Sequence, residues 1–269
     1  MTDTPIDRLI PWRVPAHWQA VDVISDLHLQ AAEPATFERW RSFMQRPLSE
    51  HADALVILGD FFEVWAGDDL LTTPDQTPAA HFAQACAAVL RQHSAHRPVF
   101  FMPGNRDFLL GDEALRLCGM TALPDPSAWE MHGQRCLLSH GDALCLADTD
   151  YQTFRAQVRS TAWQTAFLGR PLAERLEITR ALREQSEARK RATGRDPTMW
   201  ADVDPPAAQH WLQAAGAATL IHGHTHRPHT HDLGDGRQRV VLSDWDAGAQ
   251  PARAEVLRWD AQGLHRLPV

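Results

Sequence analysis

The sequence predicts an α/β fold with a largely parallel β-sheet. Short apolar runs that are typical of buried strands alternate with segments of helical periodicity in the first part of the chain. This alternation favours parallel strands, because a crossover helix returns the chain to the edge at which the previous strand began. With 269 residues the chain can bury one large core, and we expect a single domain at 1–269 that contains a helical insert at about 148–200.

The composition, 44% apolar and 22% charged, is typical of a globular protein. No apolar run reaches the roughly 18–20 residues that span a bilayer, and the N-terminal segment lacks the apolar core of a signal peptide, so we expect a cytoplasmic protein. The net charge of −8 argues against a nucleic-acid partner, and no protein partner is inferred. The four cysteines show no C-x-x-C spacing and are predicted to be small buried side chains.

Three short apolar runs in the N-terminal half are predicted as strands. Residues 21–25 are rich in β-branched side chains, and residues 54–58 and 98–102 are continuously apolar, as buried strands are. Residues 34–46 carry aromatic side chains at helical spacing, and residues 77–93 begin with Thr-Pro, a pair that favours a capped helix start. The order strand, helix, strand, helix, strand is the basis of the predicted fold.

The C-terminal half has a different pattern. Residues 129–139 are predicted as a hairpin that turns at His132-Gly133. Aromatic and apolar residues at 151–167 predict one helix, and residues 172–192 predict a second helix after a Gly-Arg-Pro break. A further helix is predicted at 205–215, with strands at 218–221, 239–242, 254–259 and 264–267 and a turn at 260–263.

Polar side chains of the kinds that bind metal ions follow the ends of five predicted strands. Carboxylate, imidazole and amide groups are present without thiolate, which favours Mn, Fe, Zn or Mg over a structural zinc site. Asp-x-His and His-x-His pairs can aim two ligands at one site, because alternate residues of an extended chain point the same way. The candidate ligands are Asp26, His28, Asp60, Asn105, His140, His224 and His226.

Seven ligands are too many for one ion of ordinary coordination number, so we interpret them as binding two ions that share a bridging carboxylate. Two ions about 3.5–4 Å apart can hold a phosphoryl group and activate a water molecule between them.

A single histidine is more often a surface or core residue than a ligand. That interpretation is kept for His17, His51, His81, His93, His96 and His265, whereas His222, His229 and His231 either support the ligands or are exposed.

From about residue 21 to residue 228, the order of these motifs resembles the calcineurin-like metallophosphoesterase superfamily. The longer strings resemble one branch of it, which cleaves the diphosphate of UDP-2,3-diacylglucosamine to lipid X and UMP in lipid A biosynthesis. The strings are SDLHL at 25–29, GDFFEVWAGDD at 59–69, GNRDFLLG at 104–111, LSHGDALC at 138–145 and HGHTHRP at 222–228.

The resemblance implies a fold, cofactors and a reaction. The fold would be a sandwich of two mixed β-sheets flanked by helices, and two Mn²⁺ ions, or other divalent ions, would be bound. A metal-bound hydroxide would attack the α-phosphorus of the nucleotide. One ion would be held by Asp26, His28, Asp60 and His226, and the other by Asp60, Asn105, His140 and His224, with Asp60 as the bridge.

The resemblance also implies roles for individual residues. The spacing after Ser186 differs from that of the branch, so Lys190, Arg191 and Thr193 remain alternatives for one substrate contact. The catalytic residues would be Asp60, Asn105, Arg106 and His140, and the substrate-binding residues would be Asn105, Arg106, Asp148, Tyr151, Arg183, Ser186, Lys190, Thr193 and His224.

Arg106 stands where many members of the superfamily have a histidine after the asparagine. A histidine there can protonate an alkoxide leaving group. A phosphate leaving group, whose second pKa is about 6, does not need that proton and is better served by a fixed cation. Arg106 therefore favours cleavage of a phosphoanhydride over a phosphomonoester; the alternative is a surface arginine without a role.

The predicted helical insert has the opposite charge to the rest of the chain. Residues 151–195 contain ten basic and four acidic side chains, a local net charge of +6. Its arginines are expected to meet the diphosphate or an anionic membrane surface. The resemblance to the lipid A branch implies that this surface is the inner membrane, with which the protein would associate peripherally. The apolar residues of the insert either line a groove for acyl chains, with Trp65 in the wall, or bury one face of a helical pair on the domain. These residues are Trp163, Phe167, Leu168, Leu172, Leu176 and Ile178.

Two other functions remain open. A related metallophosphoesterase that acts on another nucleotide diphosphate or on a cyclic nucleotide would keep the ligands without needing the insert. A non-catalytic scaffold on the same fold would be expected to have lost ligands, and all seven are present.

Overall fold

Two six-stranded β-sheets pack face to face at the centre of the protein. The structure, a computed structural model, describes residues 6–75, 77–192 and 202–269, apart from the side chains of 185–187 and 189–192. Within those ranges the strands are β1 (Trp12–Arg13), β2 (Ala20–Ile24), β3 (Ala54–Leu58), β4 (Val99–Met102), β5 (Met120–Ala122), β6 (Ser127–Met131), β7 (Gln134–Ser139), β8 (Thr219–His222), β9 (His229–Gly234), β10 (Arg237–Val241), β11 (Glu255–Asp260) and β12 (Gly263–Pro268).

Both sheets are mixed. The first sheet has the strand order β1-β6-β7-β8-β10-β9, and the second has the order β12-β11-β2-β3-β4-β5. In the second sheet the neighbouring strands β2, β3, β4 and β5 are parallel to one another. In the first sheet β7, β8 and β10 are parallel. The expected sandwich of two mixed sheets is confirmed. The prediction of a largely parallel sheet holds for these strands and for the pair β1–β6, whereas the hairpins β6–β7, β9–β10 and β11–β12 are antiparallel.

Helices cover the outer face of each sheet. Three helices pack on the second sheet, and one packs on the first, so the layers follow the order helix, sheet, sheet, helix. Three further helices form the described part of the helical insert. The helices are α1 (Pro34–Met44), α2 (Pro78–Ser94), α3 (Asp112–Cys118), α4 (Thr149–Val158), α5 (Thr161–Leu168), α6 (Leu172–Ala192) and α7 (Pro205–Ala215).

The central strand β3 shows why a continuous apolar run is needed. Successive side chains of a strand point to opposite faces of the sheet. Leu55 and Ile57 belong to the core beneath α1 and α2, whereas Val56 and Leu58 belong to the core between the two sheets. Because both faces are buried, every position of the strand has to be apolar.

Most predicted elements are confirmed. The predicted strand at 54–58 and the helices at 172–192 and 205–215 have the observed bounds. At the start of α2, the side chain of Thr77 accepts a hydrogen bond from Ala80 N at 3.2 Å, as the Thr-Pro pair predicts.

Some elements were predicted wrongly or missed. The single helix predicted at 151–167 is two helices, because Ser160 caps a new helix by accepting a hydrogen bond from Trp163 N at 3.3 Å. Helix α3 and strands β1, β5 and β9 were not predicted. These elements have two to seven residues, too few to show a hydrophobic period.

The four cysteines are buried and free, as expected. Among the described residues, no helix combines the length and the apolar character that crossing a membrane requires.

Candidate metal centre

The seven candidate ligands lie at one edge of the sandwich, where strands of both sheets end. β2, β3 and β4 are parallel, so the loops that follow them leave the second sheet at the same edge, and β7 and β8 are likewise parallel in the first sheet. His224 N donates to Asp26 Oδ1 at 3.0 Å, which joins the loops of the two sheets. The second sheet contributes Asp26, His28, Asp60 and Asn105, and the first contributes His140, His224 and His226.

Five of these residues have a left-handed backbone conformation, which residues other than glycine rarely adopt. The φ angle is 54° at Asp26, 49° at His28, 51° at Asp60, 66° at His224 and 53° at His226. Such conformations cost about 1–3 kcal/mol each and cluster at functional sites. The Asp-x-His and His-x-His pairs therefore converge through left-handed turns beyond the strands, and the predicted alternation along an extended chain was wrong.

Asp26, His28 and His226 form the first candidate metal group. Nε2 of His226 lies 3.3 Å from Asp26 Oδ1 and 3.1 Å from Nε2 of His28, and the ligand atoms of all three residues lie within 4.8 Å of one another. Burial raises the pKa of Asp26, but the hydrogen bond and charge of His226 outweigh burial and lower it below the usual value. The group therefore presents an ionised carboxylate and two imidazoles to one point.

Asp60, His140 and His224 form the second candidate group, and Asn105 lies among them. Oδ1 of Asn105 lies 2.9 Å from His140 Nε2 and 2.8 Å from His224 Nδ1. His140 Nδ1 donates to Leu58 O at 2.8 Å, and this bond directs Nε2 into the group. Burial lowers the pKa of His224 to about 4, so this imidazole is a neutral ligand at neutral pH.

Asp60 lies between the two groups. Its Oδ2 is 3.8 Å from His28 Nε2, and its Oδ1 is 3.6 Å from His140 Nε2 and accepts a hydrogen bond from Arg106 N at 2.8 Å. A Cβ atom at Gly104 would lie 2.2 Å from the same Oδ1, so this close approach requires glycine. Each carboxylate oxygen faces one group, which is the arrangement that a bridging ligand needs.

The donor set fits divalent cations. The ligand atoms are oxygen and nitrogen, which suit ions such as Mn²⁺ and Zn²⁺. Burial lowers the pKa of His140, but the charges of Asp60, Asp142 and Asp26 outweigh burial and raise it to about 9. The buried carboxylates thus favour a positive charge among them, and bound cations would supply it.

Residues 20–228 match the family described as Calcineurin-like phosphoesterase. The chain belongs to the calcineurin-like phosphoesterase family. Three relatives named UDP-2,3-diacylglucosamine hydrolase extend the match. The one from Aromatoleum aromaticum is 45% identical over 89% of this chain and 93% of its own, the one from Chromobacterium violaceum is 44% identical over 93% and 99%, and the one from Stenotrophomonas maltophilia is 42% identical over 90% and 98%.

Membership in the calcineurin-like phosphoesterase family confirms the resemblance that the motifs indicate. The chain is a hydrolase of the metallophosphoesterase type, and this family uses divalent metal ions.

A buried acid that the sequence analysis left without a role shapes this calcineurin-like site. Asp107 accepts hydrogen bonds from the backbone N–H groups of Gly104 at 2.8 Å, Phe61 at 2.7 Å and Asp60 at 3.2 Å. These bonds hold the loop that carries Asp60 against the loop that follows β4. Burial raises the pKa of Asp107 to about 6.

Two other acids lie behind ligand histidines and were also missed. Glu63 Oε2 lies 2.9 Å from His28 Nδ1, and Asp244 Oδ2 lies 3.8 Å from His226 Nδ1. The sequence gives one indication for Glu63. It is an acidic residue within the aromatic run that follows β3, where side chains are expected to be buried. Asp244 has no local signal, because its partner lies on a different loop.

The predicted substrate-binding residues of the insert have structural partners. Asp148 caps α4 by accepting a hydrogen bond from Tyr151 N at 3.1 Å. Tyr151 Oη donates to Asp142 Oδ2 at 2.6 Å, and its ring stacks on His224 with centroids 5.9 Å apart. The remaining predicted residues of this region, namely the side chains of Ser186, Lys190 and Arg191 and the whole of Thr193, lie outside the described residues.

Two arginines lie beside the first metal group. Nη1 of Arg106 is 3.9 Å from Glu63 Oε1, and the Arg106 side chain is 18% exposed, so it is not a free surface residue. Arg183 of α6 forms an ion pair with the same Glu63 oxygen. Both guanidinium groups are therefore close to the carboxylate behind His28.

The insert buries one face on the domain, which was one of the two alternatives. Phe167 is buried, four further apolar residues of the insert pack partly buried against the core beneath α1 and α2, and Leu168 is exposed. Trp65 is a buried core residue. The positive charge is partly balanced within the protein, because Arg155 and Arg159 pair with Asp142, Arg170 with Glu174, Arg175 with Asp69 and Arg183 with Glu63.

The histidines left undecided differ from one another. His222 is completely buried, and burial lowers its pKa to about 3. Its Nδ1 donates to Gly223 O at 2.8 Å, so it lies behind the loop that carries His224. His229 and His231 pack against each other on β9, with ring centroids 4.7 Å apart, and His229 is exposed.

Proposed function

We propose that this chain hydrolyses the diphosphate of UDP-2,3-diacylglucosamine and releases 2,3-diacylglucosamine 1-phosphate (lipid X) and UMP. The observation that carries this proposal is the match at 42–45% identity, over about nine-tenths of the chain, to relatives that bear this activity in their names. All the candidate ligands converge in the structure, which is what this chemistry requires of the site.

The proposed cofactors are two divalent cations, with Mn²⁺ as the preferred ion because it accepts both oxygen and imidazole ligands. When bound, the ions would polarise the phosphoryl group and activate water. The first group would bind one ion and the second group the other, with Asp60 shared between them. The proposed ligands are Asp26, His28, Asp60 and His226 for the first ion and Asp60, Asn105, His140 and His224 for the second.

Arg106 is proposed to stabilise the charge that develops on the leaving phosphate. Its backbone N–H is fixed by Asp60 at 2.8 Å, so the residue stands at the edge of both metal groups. A guanidinium group holds its charge at any physiological pH and matches phosphate oxygens with two parallel N–H donors. The lipid-linked phosphate can then leave without being protonated.

The helical insert is proposed to act as a lid that meets the acyl chains and the cytoplasmic face of the inner membrane. Apolar side chains are exposed in the insert and just before it, although most of its apolar face is buried on the domain. Exposed apolar and basic side chains together favour contact with an anionic lipid surface. The exposed apolar residues are Leu146, Phe154, Leu168 and Leu182.

The test is release of UMP from UDP-2,3-diacylglucosamine by the purified protein with Mn²⁺. We expect turnover by the natural chain and none by D60A, whose circular dichroism spectrum should remain native. UDP-N-acetylglucosamine, which has only an acetyl group at position 2 and a free hydroxyl at position 3 in place of the two long acyl chains, and a cyclic nucleotide serve as comparison substrates. Failure to release UMP from the diacylated substrate would refute the substrate assignment, and faster hydrolysis of the cyclic nucleotide would favour the related phosphoesterase.

A further inference from the structure

Glu63 is a buried carboxylate that the proposed reaction does not use. It follows Asp60 by three residues and is 5% exposed. Its backbone N–H donates to Leu29 O at 3.2 Å, and Leu29 pairs with Phe62 in an isolated parallel bridge. The loop that carries Glu63 is thereby fixed against the loop that carries His28.

One oxygen of Glu63 contacts a candidate metal ligand. Oε2 lies 2.9 Å from His28 Nδ1, while Nε2 of the same ring faces Asp26 Oδ1 at 3.9 Å and His226 Nε2 at 3.1 Å. Glu63 Oε2 and His28 Nδ1 lie at ion-pair distance without hydrogen-bond geometry. A carboxylate this close to one ring nitrogen favours the tautomer that carries the proton on Nδ1, which leaves the lone pair of Nε2 for the first metal group. A carboxylate behind a ligand histidine fixes the ring and increases its basicity.

The other oxygen of Glu63 faces the substrate side of the site. Oε1 forms the ion pair with Arg183 of α6 and lies 3.9 Å from Arg106 Nη1. Asp244, the carboxylate behind His226, differs in this respect. It forms two hydrogen bonds of 2.9 and 2.8 Å with Arg253, which belongs to the loop before β11 and not to the helical insert.

We propose that Glu63 is a positioning residue that orients His28 for metal binding and couples the first metal group to the helical insert through Arg183. This inference rests on the proposed two-metal function and adds a role that depends on both oxygens of one side chain. When Arg183 is paired with Glu63, the guanidinium group withdraws charge from the carboxylate and weakens its support of His28. When Arg183 moves to an anionic substrate, Glu63 supports His28 fully, so the insert and the metal group respond to each other.

Metal affinity measured without substrate tests the orientation of His28. Equilibrium dialysis against Mn²⁺, with protein-bound metal determined by mass spectrometry, should show E63A binding one ion about 10-fold to about 100-fold more weakly than the natural chain. E63Q should lie between the two, because the amide oxygen keeps a partial negative charge beside His28 Nδ1 but lacks the full charge of the carboxylate. The control is E113Q, which removes an exposed glutamate that pairs with Arg116 on the same helix.

D244N provides the comparison at the other histidine of the same group. It should weaken Mn²⁺ binding, and R183A should still tighten that binding in the D244N background by the same factor as in the natural chain, because Glu63 and His28 are intact there. Equal Mn²⁺ affinity of E63A, E63Q and the natural chain would overturn the orientation role. Thermal unfolding of the metal-free variants separates a loss of affinity from a loss of fold.

A double-mutant cycle with R183A tests the coupling, and it stays informative if E63A does not fold. R183A should tighten Mn²⁺ binding by about 3-fold to about 10-fold in the natural background, and by a smaller factor in the E63Q background. The same factor in both backgrounds, or no effect in either, would overturn the coupling. Because no step of this experiment contains substrate, a wrong substrate assignment would leave its result unchanged, whereas failure to bind Mn²⁺ in the natural chain would refute the metal centre itself.

Discussion

At the scale of single residues, Arg106 is the side chain on which the leaving-group argument depends. R106A should lower kcat for UDP-2,3-diacylglucosamine by about 10²-fold to 10³-fold, the usual cost of removing one group that stabilises developing charge. The Mn²⁺ content should not change, because the candidate ligands reach Arg106 only through its backbone N–H. Steady-state kinetics together with metal analysis measures both quantities.

A second substrate makes this prediction specific. The kcat of R106A for an activated diester with a p-nitrophenolate leaving group should fall much less, because that anion is stable without a neighbouring cation. Equal losses for both substrates would show that Arg106 acts on binding or on the site as a whole and not on the leaving group.

His93 predicts how stability depends on pH. It is buried on α2, where its Nδ1 lies 3.3 Å from Met44 O and its ring meets His51 edge-on at 4.8 Å. Burial lowers the pKa of His93 below 6.5, and the hydrogen bond that its Nδ1 donates to Met44 O offsets only part of this shift. Below pH 6.5 the unfolded chain therefore binds more protons at this histidine than the folded chain does. The contribution of His93 to the free energy of unfolding is complete above pH 6.5 and decreases as the pH falls below it.

Urea denaturation between pH 7.5 and pH 5 measures this effect. H93Q should reduce the loss of stability across that range, and H96Q, which removes an exposed histidine of the same segment, is the control. A pH dependence that is identical in H93Q and the natural chain would assign the loss to other groups.

The ligand residues could be predicted from the sequence because each one follows a recognisable apolar strand. What the sequence could not show is how the side chains converge. The left-handed backbone at Asp26, His28 and Asp60 has no compositional signature, since none of the three is glycine. Glu63 and Asp107 were missed for a related reason: their partners lie on other loops, and no local period reports such contacts.

At the scale of secondary-structure elements, Arg175 of α6 fastens the helical insert to the loop after β3, residues 59–69. The side chain is 3% exposed and bonds to Asp69 and to Ala66 O. Gly67 has a φ of 136°, and a Cβ there would lie 2.2 Å from Arg175 Nη1, so the loop needs glycine to admit the arginine. The contact links the insert to the loop that also carries Asp60 and Glu63.

R175A should loosen the insert while leaving the sandwich intact. Losing charged hydrogen bonds at a buried position should cost about 1–3 kcal/mol of local stability. Hydrogen exchange should become faster in α5 and α6 and stay unchanged in β2 and β3. R170A, which removes an exposed i,i+4 partner of Glu174 in the same insert, should change neither region. Faster exchange throughout the protein after R175A would mean that the contact supports the whole fold.

The elements were predictable where the sequence has a continuous apolar run or several turns of helical period, and they were not where such a pattern is absent or is interrupted by a local cap. β3 and α7 have the bounds that their apolar runs predict. The break between α4 and α5 depends on one hydroxyl, that of Ser160, which outweighs a continuous apolar period across 151–167. β9 was missed because it is an edge strand with a largely exposed sequence.

At the scale of the whole molecule, the metal centre lies where the two sheets meet. The fold class was predictable from the alternation of elements, but the division of the strands between two sheets depends on pairings between distant segments. β11 pairs with β2, and β8 lies between β7 and β10. These pairings bring ligands from both sheets to one edge, so a cation bound there connects the two halves of the sandwich.

Removing the metal should therefore lower the stability of both sheets together. A ligand that binds only the folded state stabilises it by about 2.7 kcal/mol at a concentration 100 times its Kd. For a protein of this size such a change corresponds to a shift in Tm of about 5–10 °C. Treatment with EDTA should lower Tm by this amount, and Mn²⁺ should restore it.

Amide protection should fall in β2 and in β8, because ligands follow both strands. D60A, which lacks the shared carboxylate, should show little response to Mn²⁺. An unchanged Tm after removal of metal from the natural chain, or a loss of protection confined to one sheet, would show that no cation joins the two sheets.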